Sequence, residues 1–232
     1  METRRDIHYD KSYQLLTHLL AQPGFRYDWD REKNKLSGEI DGQAWHFRMP
    51  ISYPPPDADI DLEKYLVQVP VVSAPFLLIL IQAGHSAIGY FEDGELALHK
   101  VIKKYMVRGN GKAQVGYLQT RGKSKAGSRI RLANSIAFFE DINEKLREWE
   151  VAEQAVRILV SCPINMLSLW YESKVTPPFD REDPRILKVP MDIHKPGADE
   201  LERVGELAQR GRWEGPAAPI DRFFALLRGD FD

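Results

Sequence analysis

Gln114 sits three residues after Gly111 in the stretch "VRGNGKAQVGYLQTRGKSKAGSRIR", Val107 to Arg131. A glutamine amide is no general base, but it can orient a water and donate a hydrogen bond to a developing oxyanion. A second Gly-x-x-Gln follows at Gly116–Gln119. Around both lies a concentration of charge. From Lys100 to Phe139 the chain places ten of its 32 basic residues and none of its 34 acidic ones, while the whole protein carries a net charge of −2. A cationic block of that kind inside an acidic chain is a focused surface for a polyanion. The plainer alternative is a solvated run of charge that only keeps the segment soluble.

Other chemistries find less support. The six histidines show no close spacing with Cys or carboxylates that would suggest a metal site. Cys162 follows an apolar run and has no nucleophile signature around it, so it reads as a small core residue. Glu140 and Asp141 are adjacent, which turns them to different faces of a helix. "GNG" at 109–111 and "GKS" at 122–124 both lack the full phosphate-loop pattern. No metal and no organic cofactor is expected.

The elements that must position the basic segment are legible around it. "PFLLILIQAG" (75–84) is a continuous apolar run and predicts a strand buried on both faces. Two more strands should follow, turning at Asp93-Gly94. A long glycine-rich loop then runs from Gly109 to about Gly127. Leu132, Ile136, Phe139, Ile142, Leu146 and Trp149 recur at helical spacing, with Ser128 as the expected N-cap. A strand at 155–161, a helix after Pro163, a strand in "RILKVPMDI" and a helix in "ADELERVGELAQR", with Leu201, Val204 and Leu207 inward, complete the pattern. Upstream, 11–21 reads as a short helix, with Tyr13, Leu16, Leu19 and Leu20 on one face. Asp41-Gly42 reads as a hairpin turn, and the proline-rich Pro50–Asp61 as a linker or boundary. The expected fold is α/β (α+β), a mixed sheet flanked by helices.

With 43% hydrophobic residues the 232-residue chain can bury one good core or two small ones. One cysteine excludes an internal disulfide framework and fits a reducing cytosol. The N-terminus lacks a signal-peptide pattern, and the longest apolar run, Ala74–Ile81, is too short to span a membrane. The expected location is cytoplasmic.

"HKVIKKYMVRGNGKAQ" and "RGKSKAGSRIRLANSIAFFEDINEKL", both within His99–Leu146, resemble the release-factor-like domain of the Vms-type ribosome-rescue proteins. That domain is related to the catalytic domain of eukaryotic and archaeal class I release factors. "DPRILKVPMDIHKPGADELERVGEL" is similar to the family's closing strand and helix, so the resemblance runs from about residue 75 to 210. Classical release factors carry Gly-Gly-Gln. Here Lys112-Ala113 separate Gly111 from Gln114, as in the Vms-type pattern. The resemblance implies a ribonuclease H-like, release-factor central-domain fold over 61–232. Residues 1–60 lie outside the resemblance and are expected to form an N-terminal helix-and-hairpin extension, and 108–131 a flexible basic loop. It implies hydrolysis of the ester joining a stalled nascent chain to tRNA, with the large ribosomal subunit and peptidyl-tRNA as partners and no role for DNA or membrane. Gln114 would be catalytic and Gly111 the motif glycine. Arg108, Lys112, Arg121, Lys123, Lys125, Arg129 and Arg131 would contact the RNA phosphate backbone. Two alternatives stay open: an RNA endonuclease trimming the tRNA 3′ end, and a non-catalytic ribosome- or RNA-binding module.

Overall fold

The computed structural model describes the backbone of residues 2–104 and 123–228, and side chains over 3–104 and 136–228. In chain order the elements are β1 (Glu2–His8), α1 (Tyr9–Leu20), β2 (Asp28–Asp30), β3 (Lys35–Ile40), β4 (Gln43–Arg48) and α2 (Leu62–Gln68). Then come β5 (Phe76–Gln82), β6 (His85–Glu92), β7 (Glu95–Lys103), α3 (Lys123–Trp149), β8 (Arg157–Ser161) and α4 (Ile164–Tyr171). β9 (Ile186–Lys188), α5 (Ala198–Ala208), β10 (Arg210–Pro216) and α6 (Ala217–Arg228) end the chain's described part. No helix among the described residues is long and apolar enough to cross a membrane.

The strands form two sheets. In the second, the order is β7-β6-β5-β8-β9. β5, β6 and β7 are antiparallel neighbours in series, while β8 and β9 run parallel to β5. This is the mixed, helix-flanked arrangement expected of the fold. β5 is apolar throughout because both its faces are covered. Leu77, Ile79 and Ile81 face one core with Phe138, Phe139, Ile142 and Leu146 of α3. Phe76, Leu78 and Leu80 face another with Leu201, Val204 and Ala208 of α5. The alternation of a strand sends odd and even residues to opposite helices.

Both predicted hairpins are present. Asp41 and Gly42 have φ of 53° and 74°, and Asp93 and Gly94 of 51° and 88°. Two successive left-handed residues make the turn whose twist matches an antiparallel pair, and Asp-Gly supplies them at low cost.

Other expectations need correction. α3 begins at Lys123, so Ser128 lies inside the helix, and residues 123–131 are helical where a loop was expected. Lys, Ala, Ser and Arg are tolerable helix formers, and one glycine costs only about 1 kcal/mol in so long a helix. On α3, Ile136 is 42% exposed, while Phe138 is buried. On α5, Ala208 rather than Leu207 is fully buried beside Leu201 and Val204. The stretch expected as a linker is packed: Ile51, Ser52 and Tyr53 are buried. The Tyr53 hydroxyl donates to the Tyr9 carbonyl at 2.9 Å, and the Tyr65 hydroxyl to the Pro54 carbonyl at 2.8 Å.

The first sheet, β1-β10-β4-β3-β2, draws on both ends of the chain. β1 and β10 pair over their full length, from Glu2 opposite Pro216 to His8 opposite Arg210. Residues 210–228 therefore belong by pairing and packing to the N-terminal sheet, which a division at residue 60 leaves out. One face of this sheet is sealed by α1, α2 and α6 over Trp45, Phe47 and Trp213. The Trp45 and Trp213 rings stack 5.2 Å apart at 5°. The opposite face is polar, as an antiparallel sheet with one covered side allows.

α5 lies against β6 at Gly205. A Cβ there would sit 2.1 Å from Phe91 Cζ. That ring cannot retreat, because it is buried and stacked on Phe76 with centroids 4.5 Å apart. Gly205→Ala is expected to destabilise the protein by about 2 kcal/mol despite alanine's better helix propensity. Thermal melting should show a fall of roughly 4–8 °C.

Candidate nucleic-acid interface

β7 is the edge strand of the second sheet and leads directly into the basic segment. Its His99, Lys100 and Lys103 are exposed, and Ile102 is buried against α3. At the strand's end the backbone N–H of Lys104 donates to the Gly84 carbonyl at 3.0 Å. The Lys104 ammonium donates to the Ala137 carbonyl at 3.2 Å and pairs with both Asp141 carboxylate oxygens, at 3.0 and 2.9 Å. Lys104 thus clamps the strand end to α3, and its charge is committed to Asp141. Of the ten cations counted in the sequence, this one is structural.

The clamp places the rest. Residues 123–136, the fourteen that precede Ala137 in α3, make about 21 Å of helix at 1.5 Å per residue. Lys123, Lys125, Arg129 and Arg131 all belong to that length, and the first acidic residue of the helix is Glu140. A helix N-terminus favours negative charge, so these cations run against the helix's own preference. Arg108, Gly111, Lys112, Gln114, Gln119 and Arg121 lie outside the described residues. What the fold supplies for them is a pair of anchors: Lys104, just past the end of β7, and the start of α3 at Lys123 bracket residues 105–122.

α3 itself is locked down by a group that sequence reasoning missed. Asn143 is fully buried. Its amide nitrogen donates to the Trp170 carbonyl at 3.2 Å, the Ser173 hydroxyl at 2.9 Å and the Val175 carbonyl at 2.7 Å. Its oxygen accepts from the Trp170 indole N–H at 2.6 Å. A polar residue between Ile142 and Leu146, on the apolar stripe of a helix, was the available signal.

Elsewhere the described residues hold no group of three or more His, Cys, Asp or Glu that could take a metal ion. The Cys162 thiol is pushed up to about 12 by burial, which leaves it protonated and unreactive at neutral pH.

Comparisons with known proteins agree with the resemblance read from the sequence. The human protein named tRNA endonuclease ANKZF1 is 30% identical over 156 residues, covering 65% of this chain and 21% of the human one. The Caenorhabditis elegans protein named tRNA endonuclease vms-1 is 23% identical over 146 residues, covering 58% of this chain and 23% of its own. The chain thus spans about a fifth of the length of these relatives. A solved structure titled "Vms1 mitochondrial localization core" superposes with a TM-score of 0.48 at 16% identity, over 88% of this chain and 84% of that one. The family described as the Bacteroidetes VLRF1 release factor matches residues 76–212, from the first strand of the second sheet into β10 and across the whole basic segment. The chain belongs to that release-factor family, of the Vms type.

Proposed function

We propose that this protein is a ribosome-rescue factor that hydrolyses peptidyl-tRNA on the large ribosomal subunit. The observation that carries the reading is the release-factor match over 76–212, which brackets a cation-rich segment hung between an edge strand and a cation-bearing helix. In this reading Arg108, Lys112, Arg121, Lys123, Lys125, Arg129 and Arg131 bind RNA phosphates without reading sequence. Gly111 lets the backbone approach the tRNA end closely. The Gln114 amide places a water at the ester carbonyl and donates to the oxyanion that forms. The water oxygen bonds to the carbonyl carbon and the ester C–O bond to the ribose breaks. The peptide leaves as a carboxylic acid, and the ribose oxygen takes up a proton to become a hydroxyl. A glutamine cannot accept the water's proton, so that transfer falls to RNA groups or solvent.

A second reading is favoured by the names of the relatives, which describe tRNA endonucleases. Here the bond cut would be a phosphodiester near the tRNA 3′ end rather than the ester. Both readings put the same segment at the same end of the same substrate.

The test is a time course of peptide release from large subunits carrying labelled peptidyl-tRNA. The full chain should release peptide, at a rate that drops steeply as salt rises because the phosphate contacts weaken. Stable binding with no release of peptide in any form would reduce the protein to a ribosome-binding module.

A further inference from the structure

The exposed face of the first sheet carries a charge arrangement that folding alone does not favour. The register places Asp30 of β2 opposite Lys35 of β3, Lys35 opposite Arg48 of β4, Arg48 opposite Arg212 of β10, and Arg212 opposite Asp6 of β1, and Asp30 is itself held by the Lys33 ammonium at 2.8 Å, so Arg48 stands between two cations. Directly opposed side chains on one face of a sheet are close neighbours, and like charges there repel. Only one cation of this row is neutralised: Arg212 Nε donates to Asp6 Oδ1 at 2.7 Å. The next row along the strands is balanced by contrast, with Glu214 paired to Arg4 at 3.5 Å. Arg210, at the far side, pairs with Glu206. Lys35 and Arg48 have no ion pair or hydrogen bond from their side chains among the described residues.

The row runs into a cleft. Where this face meets α5, a cavity of about 110 Å³ is lined by Arg48, Arg210 and Arg212, by Asp6, which is already engaged by Arg212, and by Met191 and Leu207. That is room for a few waters or for one phosphate group. The arginine fork is the side chain best matched to phosphate oxygens.

We propose that Lys35, Arg48 and Arg212 form a phosphate-binding row that holds the RNA backbone, a second contact surface on the N-terminal sheet, apart from residues 105–122. RNA is the occupant because the charge is complementary and because the protein is read here as acting on tRNA; the proposal rests on that reading. It gives the N-terminal sheet, most of which lies outside the release-factor match, a role in holding substrate.

The experiment is fluorescence anisotropy of labelled tRNA with the full chain across a salt series. Four proteins are compared: wild type, Lys35→Gln/Arg48→Gln, Arg4→Gln, and Arg121→Gln/Lys123→Gln. The first double variant should bind about tenfold more weakly and lower the salt slope by roughly 1.4–1.8, two phosphate contacts' worth. Its melting temperature should hold or rise by up to about 3 °C, since a repulsion is removed. Arg4→Gln, on the same face but in a balanced row, should change the slope far less. An unchanged slope in Lys35→Gln/Arg48→Gln, an equal loss in Arg4→Gln, or displacement of tRNA by polyglutamate as readily as by unlabelled tRNA would overturn the proposal. If Arg121→Gln/Lys123→Gln loses binding while Lys35→Gln/Arg48→Gln does not, this inference alone fails. If wild type does not bind tRNA, the functional reading fails with it.

Discussion

Gln114→Ala is expected to lower the rate of peptide release by about 100- to 1,000-fold, the usual cost of deleting one donor aimed at a developing oxyanion. The loss should fall on kcat, with the concentration for half-maximal rate nearly unchanged. The reason is a division of labour along the chain. In the proposed function, affinity would come from the cations between Arg108 and Arg131, none of which the substitution touches. The amide acts only once the ester begins to gain charge. Gln119→Ala is the built-in control, because it removes the second Gly-x-x-Gln and leaves the charge the same. It should release peptide within a few-fold of wild type. Single-turnover release from stalled large subunits, with binding measured in parallel, checks both. A full loss in Gln119→Ala with normal rates in Gln114→Ala would move the chemistry five residues along the segment.

Asn143→Leu is expected to cost about 3 kcal/mol of stability. Leucine fills the volume but leaves the Trp170 indole N–H without its acceptor and takes a donor from the Trp170 and Val175 carbonyls. A buried polar group left unpaired costs about 1–3 kcal/mol, and the Asn143 and Trp170 side chains are both fully buried. Thermal unfolding should begin roughly 6–12 °C lower. Trp170→Phe deletes the orphaned indole N–H, so the double substitution should cost clearly less than the two single ones added together. Strict additivity would mean that Asn143 acts through volume alone. The network also has a functional side. Asn143 and the Lys104–Asp141 clamp tie α3 to the rest of the second sheet and its loops, so they hold in place the helix that bears Lys123, Lys125, Arg129 and Arg131.

The second sheet was readable because its signals are local. The unbroken apolar run of β5, the Asp-Gly turns and the stripe on α3 each state their own structure. β1, β10 and α6 were not readable, for the opposite reason. "ETRRDIH" has one aliphatic residue, and "RGRWEGP" has two glycines and a proline in seven positions. Neither looks like a strand alone. They become strands because each satisfies the other's backbone, at a sequence separation of about 200 residues, and local propensity cannot report that. The glycines mark a tight fit: a Cβ on Gly211 would lie 2.6 Å from both Phe47 and Ser12 side-chain atoms. The start of α3 was misjudged because a Gly-Ser pair looked like its boundary, although the helix runs through both. As for the site, residue types point only to a polyanion-binding segment, and it is the family resemblance, through the distance of Gln114 from the flanking family elements, that singles out Gln114. The clamp at Lys104 and the like-charged row on the first sheet depend on which strands lie side by side, so they became visible only with the fold.

The central claim is that the bond broken is the peptidyl ester, and the tRNA left behind reports on it most directly. Large subunits carrying peptidyl-tRNA labelled in the tRNA would be given one turnover of the full chain, and the 3′ end of the freed tRNA mapped to single-nucleotide length. Ester hydrolysis predicts a full-length tRNA with a free 3′ hydroxyl that can be charged again with amino acid, formed at the rate of peptide release and absent with Gln114→Ala. A shortened tRNA, with the missing nucleotides still attached to the peptide, would contradict the account and make the protein a tRNA endonuclease.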